Sequence, residues 1–244
     1  MAVVLVLGGG GREHAMCRAL ASSNKVDSIL VGPGNAGTAR HHKCQNVDNL
    51  SLSDHQSIID FCLSRSVDLV CVGPEDPLAS GIADRLQLAG IKCFGPSKAA
   101  AQMEASKSFA KDFMVRNNIP TARFAVFKDV DQACEHIETA PYKVLVVKAD
   151  GLAAGKGVTV AANKEEACVA VKAALQDKSF GLAGETVIVE ELLEGTEISV
   201  LAFCDGVSVK VMPPAQDHKR LLENDRGPNT GGMGALCPSH TIVT

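Results

Sequence analysis

Residues 144–158 read VLVVKADGLAAGKGV, a hydrophobic run that ends at a lysine and continues into a loop of small residues with three glycines. A second apolar run, Val158–Val160, follows, so the pattern predicts two strands joined by a glycine-rich loop. Glycines let backbone N–H groups approach an anion closely, and Lys148 and Lys156 add positive charge. The stretch predicts a loop that covers phosphate groups. An ordinary glycine hairpin with a flanking surface lysine is the alternative.

This loop differs from a P-loop. A P-loop places four residues between its first glycine and a Gly-Lys pair, and a hydroxyl residue that reaches magnesium follows. Here only three residues separate Gly151 from Gly155, and Gly157 stands where the hydroxyl residue would be. A strand is expected after the loop, where a P-loop would begin a helix. The pattern therefore excludes the fold of P-loop NTPases.

Composition narrows the class of protein. The 244 residues suggest about two domains, and a hydrophobic content of 46% allows a substantial core. A net charge of −4 without a basic run argues against nucleic-acid binding. No apolar stretch approaches the ~20 residues that span a bilayer, and the N-terminus lacks the basic start of a secretory signal. The nine cysteines are scattered without a Cys-x-x-Cys pair, which predicts a reduced, cytoplasmic protein.

The first hundred residues alternate strand and helix patterns, which predicts a parallel sheet covered by helices. Strands are expected at 3–7, 29–31, 69–72 and 91–94, and helices at 13–21, 53–64 and 78–89. Three of the strands are followed by glycine-containing loops at 8–11, 32–35 and 73–75. Because ligands bind beyond the carboxyl ends of parallel strands, we expect these loops to converge at one edge of the sheet.

The loop at residues 8–14, GGGGREH, follows a strand and opens a helix, as in dinucleotide-binding proteins. The fingerprint Gly-x-Gly-x-x-Gly fails, because Glu13 or His14 occupies the third glycine position. The second strand also ends in Gly32-Pro33 rather than in an acid, so NAD binding is disfavoured. A helix N-terminus preceded by glycines, with Arg12 nearby, still suits a phosphate or another anion. A glycine turn needed only for packing is the alternative.

The second half of the chain predicts another α/β unit. A helical segment over 98–117 leads to strands at 124–127, 143–149 and 186–190, with helices at 130–138 and 164–176. Strands over 197–204 and 207–211 are expected to form a hairpin around Asp205-Gly206. From Pro213 onward the sequence is polar and is predicted to be loop.

Residues 190–197, EELLEGTE, place four carboxylates around a turn between strands. Backbone groups of 191–193 could hydrogen-bond an adenine edge while Glu197 accepts from ribose hydroxyls; a solvated acidic turn is the alternative. The segments 213–220, PPAQDHKR, and 227–235, GPNTGGMGA, are dense in glycine and polar residues. Long ordered loops of this kind are more often functional, although a disordered tail is the alternative.

Taken in order, these motifs resemble the glycinamide ribonucleotide synthetases (phosphoribosylamine–glycine ligases), ATP-grasp enzymes of purine synthesis. The matching segments cover essentially the whole chain: 8–14, 32–38, 73–75, Lys148 with 151–157, 190–195, 213–220 and 227–235. The resemblance implies an α/β fold in which a pre-ATP-grasp, Rossmann-like parallel-sheet domain precedes an incomplete ATP-grasp domain. The implied parts are a substrate-binding domain over 1–100, a helical linker over 101–121, a lid over 122–190 and the start of a second subdomain over 191–244.

The resemblance also implies a reaction, in which glycine is joined to 5-phosphoribosylamine through a glycyl phosphate, giving glycinamide ribonucleotide, ADP and phosphate. The implied cofactors are ATP and Mg²⁺ or Mn²⁺, with metal ligands expected beyond residue 244 and none within this chain. We therefore expect the chain to be a fragment, inactive alone, of a gene product fused to later purine-pathway enzymes. A non-catalytic ATP-binding module and another ATP-grasp ligase of purine synthesis or carboxylation are the alternatives.

By the same resemblance, four groups of residues receive roles. The ATP phosphates would be contacted by Lys107, Lys148, Gly151, Gly155, Lys156 and Gly157, and the adenosine by Glu190, Glu191, Leu192, Leu193 and Glu197. The residues near glycine and the reacting amine would be Asp217, Asn229, Gly231, Gly232 and Met233. Phosphoribosylamine would be held by Gly10, Gly11, Arg12, Glu13, Gly34, Asn35, Pro74 and Glu75.

Overall fold

A five-stranded sheet organises Met1–Ala110, the first of two units of the chain; the second unit is Lys111–Thr244. The structure, a computed structural model, describes residues 1–152, 157–224 and 226–239. None of the helices within these ranges is long and apolar enough to cross a membrane. The finer division of the chain at residues 100, 121 and 190 stays a prediction.

Strands alternate with helices in the first unit, as the sequence predicts. In chain order the elements are β1 (Ala2–Gly8), α1 (Gly11–Ala21), β2 (Val26–Pro33), β3 (Cys44–Asn46), α2 (His55–Ser64), β4 (Leu69–Val72), α3 (Glu75–Ser80), α4 (Ile82–Leu88), β5 (Lys92–Phe94), α5 (Lys98–Ala105) and α6 (Lys107–Arg116). The spatial order is β3-β2-β1-β4-β5, and every neighbouring pair is parallel. The predicted parallel sheet is confirmed.

The central strand β1 is apolar on both faces, because helices cover both faces of the sheet. On one face Leu5 and Leu7 are fully buried in a cluster that includes Ile58 of α2. On the other face Val6 packs with Cys17 of α1. With both faces covered, the strand ends are the edge that a ligand can reach.

Two local predictions in this part of the chain are wrong, and one strand was missed. The single helix expected over 78–89 is two helices, α3 and α4, because Gly81 adopts a left-handed conformation with φ of +97° that ends the first helix. The helical segment over 98–117 is likewise broken into α5 and α6, where Ser106 is extended. Strand β3 was not predicted, since three residues with one apolar side chain show no periodicity.

The second unit begins with a four-stranded antiparallel sheet. Its elements are β6 (Phe124–Phe127), α7 (Val130–Thr139), β7 (Val144–Ala149), β8 (Val158–Val160), α8 (Lys164–Leu175) and β9 (Val187–Glu191), and the strand order is β6-β9-β7-β8. Ile137 of α7 and Val171 of α8 are fully buried against Val147 and Val189 of the sheet. The prediction that a strand precedes and another follows the glycine loop is confirmed by β7 and β8, which are antiparallel neighbours.

Short strand pairs follow this sheet. They are β10 (Ala202–Cys204) with β11 (Val209–Val211), β12 (Gln216–Asp217) with β15 (Ala235–Leu236), and β13 (Arg220–Leu222) with β14 (Arg226–Asn229). The hairpin around Asp205 is confirmed, although its strands are shorter than predicted. The prediction that everything after Pro213 is loop is wrong, because backbone pairing between distant segments needs no hydrophobic alternation.

Candidate active site

The three glycine-containing loops of the first unit meet at the carboxyl ends of β1, β2 and β4. Gly34 N donates to Gly8 O at 3.2 Å, and Asn35 Nδ2 donates to Gly9 O at 3.0 Å. Arg12 Nη1 donates to Gly73 O at 2.7 Å, which joins the first loop to the third. The predicted convergence is thus confirmed.

Glu13 is the buried residue at the centre of these loops. Its Oε2 accepts from Gly10 N at 2.6 Å, and its Oε1 lies 3.5 Å from Arg12 Nε. A Cβ at Gly8 or Gly73 would overlap the Glu13 side chain, so both loops need glycine there. The structure places Glu13 inside the loop cluster, where it fixes the glycine turn; its direct contact with a substrate stays a prediction.

The remaining loop residues of the first unit are arranged around the N-terminus of α1. Asn35 Oδ1 accepts from Gly37 N at 2.7 Å and from Thr38 N at 3.0 Å, which holds the second loop in a tight turn. Pro74 caps α3, and the Glu75 carboxylate lies 3.6 Å from Arg12 Nη2. Since Gly10, Gly11 and Arg12 are exposed, a ligand can reach the first turn of α1.

In the second unit, two lysines share one buried glutamate. Glu190 Oε2 lies 2.9 Å from Lys148 Nζ and 3.3 Å from Lys111 Nζ, and the Glu190 side chain is only 5% exposed. The other carboxylate oxygen, Oε1, is buried and has no hydrogen-bond partner among the described residues. Burial lowers the pKa of Lys111, while the neighbouring Glu190 carboxylate opposes that change.

Lys148 and Glu190 were both predicted site residues, and adjacent strands bring them together. Val146 of β7 pairs with Glu190 of β9, two positions from Lys148. Lys111 was missed, because a lysine in the middle of an amphipathic helix has the pattern of a solvated side chain. Only the packing of α6 shows that its ammonium is turned inward.

The segment after β9 is held by the sheet edge and by Arg123. Glu191 Oε1 and Oε2 accept from Arg123 Nη2 at 2.5 Å and Nε at 3.0 Å, and this guanidinium lowers the pKa of Glu191. Glu191 N donates to Arg123 O, and Leu192 N donates to Lys143 O. The N–H groups of Glu191 and Leu192 are thus already used. The predicted hydrogen bonds from residues 191–193 to an adenine edge would therefore come from their carbonyl groups and from the N–H of the exposed Leu193.

The two C-terminal motifs lie against each other. His218 N donates to Gly234 O at 2.9 Å, and Met233 N donates to His218 O at 2.8 Å. Asp217 pairs with Ala235, and a Cβ on Gly232 would lie 3.8 Å from Asp217 Oδ1. The structure therefore brings Asp217 next to the loop that carries the other residues predicted to lie near the reacting groups.

A cleft of about 700 Å³ adjoins these motifs. Its walls are the edge strand β8, Glu166, Arg220 and residues 227–231, which include the predicted Asn229 and Gly231. Arg220 Nη1 donates to Gly227 O at 2.7 Å. Glu197, assigned to ribose, forms an ion pair with Lys219 at the surface. The cleft is thus lined by an acid, Glu166, by a base, Arg220, and by the backbone of residues 227–231.

Several predicted residues stand apart from these contacts. Gly155 and Lys156 lie outside the described residues. The flanking glycines are anchored, since Ala149 N donates to Gly157 O at 2.7 Å and Gly151 N donates to Ala183 O at 3.3 Å. Lys107 begins α6 in the first unit.

Comparison with known proteins first defines the fold class. The biotin carboxylase domain of 2-oxoglutarate carboxylase from Hydrogenobacter thermophilus, solved with MgADP, has a TM-score of 0.69 at 19% identity, over 91% of this chain and 51% of that one. This likeness shows the fold alone. Together with the two sheets described above, it places the chain in the α/β class, with an N-terminal parallel sheet followed by an ATP-grasp region.

Two family models identify the family. The phosphoribosylglycinamide synthetase N domain matches residues 2–104, and the ATP-grasp (A) domain of the same synthetase matches residues 105–244. This chain belongs to the phosphoribosylglycinamide synthetase family.

Individual relatives agree with the family. The human trifunctional purine biosynthetic protein adenosine-3 is 56% identical over 98% of this chain, which spans 24% of that protein. Phosphoribosylamine–glycine ligase from Thermotoga maritima has a TM-score of 0.78 at 33% identity, over 97% of this chain and 56% of that one. The chain therefore spans about a quarter of the first protein and about half of the second.

Proposed function

We propose that this chain forms part of a ligase that uses ATP to join glycine to 5-phosphoribosylamine, giving glycinamide ribonucleotide, ADP and phosphate. The observation that carries the proposal is the Lys148–Glu190 pair beside the glycine loop, in a chain of the phosphoribosylglycinamide synthetase family. The Lys148 ammonium group suits a phosphate, and the buried, unpartnered Glu190 Oε1 suits an amino group, so together they favour a nucleotide that carries both.

The ATP phosphates would be positioned by Lys148 and by the loop 151–157. Phosphoryl transfer needs little covalent help from the protein, but it needs cations that neutralise charge and a cover that excludes water. Glu190 Oε1 would accept a hydrogen bond from the adenine amino group, since no described residue occupies that oxygen. Lys107 at the start of α6 is proposed to add a second phosphate contact.

Transfer of the γ-phosphoryl group to the glycine carboxylate would break the bond between the γ-phosphorus and the bridging oxygen and release ADP. The amine of phosphoribosylamine would then attack the acyl carbon, and phosphate would leave. We propose that Asp217 holds the glycine ammonium group, because its exposed carboxylate lies beside Gly232. The loop Asn229–Met233 would approach the reacting atoms through its backbone groups.

The phosphoribosyl group is assigned to the converging loops of the first unit. The exposed first turn of α1 at Gly11 favours an anion, and Arg12 adds a cation at the same place; Gly10, whose N–H is donated to Glu13, would border the site. Gly34, Asn35, Pro74 and Glu75 would complete the site. Glu13 would support this site by accepting a hydrogen bond from Gly10 N.

Mg²⁺ or Mn²⁺ is proposed as the metal that accompanies ATP. The described residues do not fit it, since none of their His, Cys, Asp and Glu side chains form a group of three or more that could hold a metal. The acids of the nucleotide region are committed to lysines and arginine instead. No step is therefore assigned to a metal held by these residues.

The proposed setting is a multifunctional purine enzyme in the cytoplasm. Relatives from several organisms are named as trifunctional or bifunctional purine biosynthetic proteins, which supports fusion to later enzymes of the pathway. The nine free cysteines suit a reducing compartment.

Phosphate release by the full-length protein tests the proposal. Turnover should require ATP, glycine and phosphoribosylamine together, and Asp217→Asn should raise the KM for glycine with a smaller effect on the KM for ATP. Asp205→Asn, in the hairpin between β10 and β11, is the matched control and should leave both constants unchanged. ATP turnover that needs neither glycine nor phosphoribosylamine would contradict the proposal.

A further inference from the structure

Lys111 resembles Lys148 in contacting Glu190, but its surroundings differ. The three donors of the Lys111 ammonium group have three acceptors inside the protein: Thr121 Oγ1 at 2.8 Å, Ala122 O at 3.3 Å and Glu190 Oε2 at 3.3 Å. Its side chain is 10% exposed, against 28% for Lys148. Lys111 therefore has no donor left for a phosphate and cannot play the role proposed for Lys148.

Glu190 presents an oxygen that nothing in the described part of the chain uses. Both lysines approach Oε2, while Oε1 is buried and unpartnered. Two ammonium groups face Oε2, and a carboxylate oxygen paired with ammonium groups accepts hydrogen bonds. The group that completes Oε1 must therefore be a donor, such as the exocyclic amino group of a nucleobase, and not a carbonyl oxygen.

We propose that Lys111 is a positioning residue that determines base specificity: by holding Oε2, it fixes Glu190 so that Oε1 receives the 6-amino group of adenine and rejects a 6-oxo group. The inference rests on the proposed nucleotide site. In that site Lys148 is drawn toward the phosphates, which leaves Lys111 as the cation that holds the carboxylate in place. Thr121 and Ala122 in turn fix the Lys111 ammonium group.

The test compares ATP with purine riboside triphosphate, which lacks the 6-amino group, in calorimetric titrations of the full-length protein. Wild-type protein should prefer ATP. Lys111→Met should lower the affinity for ATP about tenfold or more, as expected for a lost hydrogen bond to a charged group, with little change for the analogue. Lys172→Met, an exposed lysine on α8, is the matched control and should keep the preference.

The outcomes separate this inference from the proposed function. An equal loss of affinity for both triphosphates in Lys111→Met would show a merely structural role and overturn the inference. Wild-type protein that binds neither triphosphate would overturn the proposed function itself. If Lys111→Met does not fold, Thr121→Val decides, because it removes one acceptor that orients Lys111. A reduced preference for ATP in that variant supports the inference, and an unchanged preference overturns it.

Discussion

The strand-end loops of the first unit carry an exposed cation, whereas the cluster of Lys111, Lys148 and Glu190 in the second unit pairs its charges around a buried acid. Arg12 is exposed, with a side chain 54% accessible, and it is anchored mainly by a backbone carbonyl. Glu190 is buried between two lysines, and each of these charges depends on the others. Losing the exposed Arg12 side chain should therefore cost little, whereas the buried cluster cannot lose a charge cheaply, because an unpaired buried charge is strongly destabilising.

Removing the shared carboxylate should have the largest effect. Glu190→Ala leaves Lys111 and Lys148 close together without their counter-ion, so the free energy of unfolding should fall by about 3–5 kcal/mol. Urea denaturation measures this change. Glu194→Ala removes a carboxylate whose side chain is 80% exposed and should cost less than about 1 kcal/mol. Similar losses in the two variants would remove the contrast between buried and exposed charge.

Lys148, which we propose contacts the ATP phosphates, should affect nucleotide binding more than Lys156. Lys148→Ala is expected to weaken ATP binding by about 1.5–3 kcal/mol, since the position of Lys148 on β7 fixes its stem and a charge-assisted contact is lost. Lys156→Ala should weaken ATP binding less, because the small residues and glycines around Lys156 in the sequence offer little to pack against its stem, so more side-chain entropy would be lost on binding. Calorimetric titration with an ATP analogue ranks the two, and the reverse order would contradict this prediction.

In the loops of the first unit, adding a methyl group to a tightly packed glycine should have a larger effect than removing the exposed charge of Arg12. Gly73→Ala places a methyl group against Glu13 and should destabilise the protein by about 1–3 kcal/mol, as overpacking does. Gly11→Ala is the control, because a Cβ there meets nothing within 4 Å. Thermal unfolding compares the variants. An unchanged Tm for Gly73→Ala would show that Glu13 moves aside without cost.

The smallest effect is expected at the exposed cation. Arg12→Ala should weaken phosphoribosylamine use by about 1 kcal/mol, and the difference from wild type should shrink as salt rises, because exposed charges are screened. The KM for phosphoribosylamine at two ionic strengths measures it. A salt-independent loss would mean that Arg12 acts through its hydrogen bond to Gly73 O, as a scaffold for the loops.

Sequence reasoning succeeded where a pattern is local. The apolar run of β1, the strands on both sides of the glycine loop and the glycines after β1, β2 and β4 could all be read from neighbouring residues. It failed where the outcome depends on distant partners. Lys111 was indistinguishable from a surface lysine, and the inward position of Glu13 depends partly on space left by Gly73, in a distant loop.

The helix breaks show a further limit. Gly81 lies inside a stretch with helical hydrophobic spacing, and the spacing alone does not reveal whether a glycine continues a helix or ends it. The pairing of 213–220 with 227–235 is also invisible in composition, because it is made by main-chain groups that every residue carries.

Glu190 and Glu191 are neighbours on β9, yet their surroundings differ. Successive side chains of a strand point to opposite faces, so one carboxylate is buried with lysines while the next meets Arg123 at the surface. Sliding β9 by a single residue would exchange them, and the two lysines would still face an acid. The misregistered strand would keep an acid beside the lysines, while Val187 and Val189 would leave the apolar cluster that they form with Ile137 and Val171. The valines of β9, and not its paired glutamates, must set the alignment of this strand, so deleting one residue there should be far more harmful than swapping the two acids for glutamines.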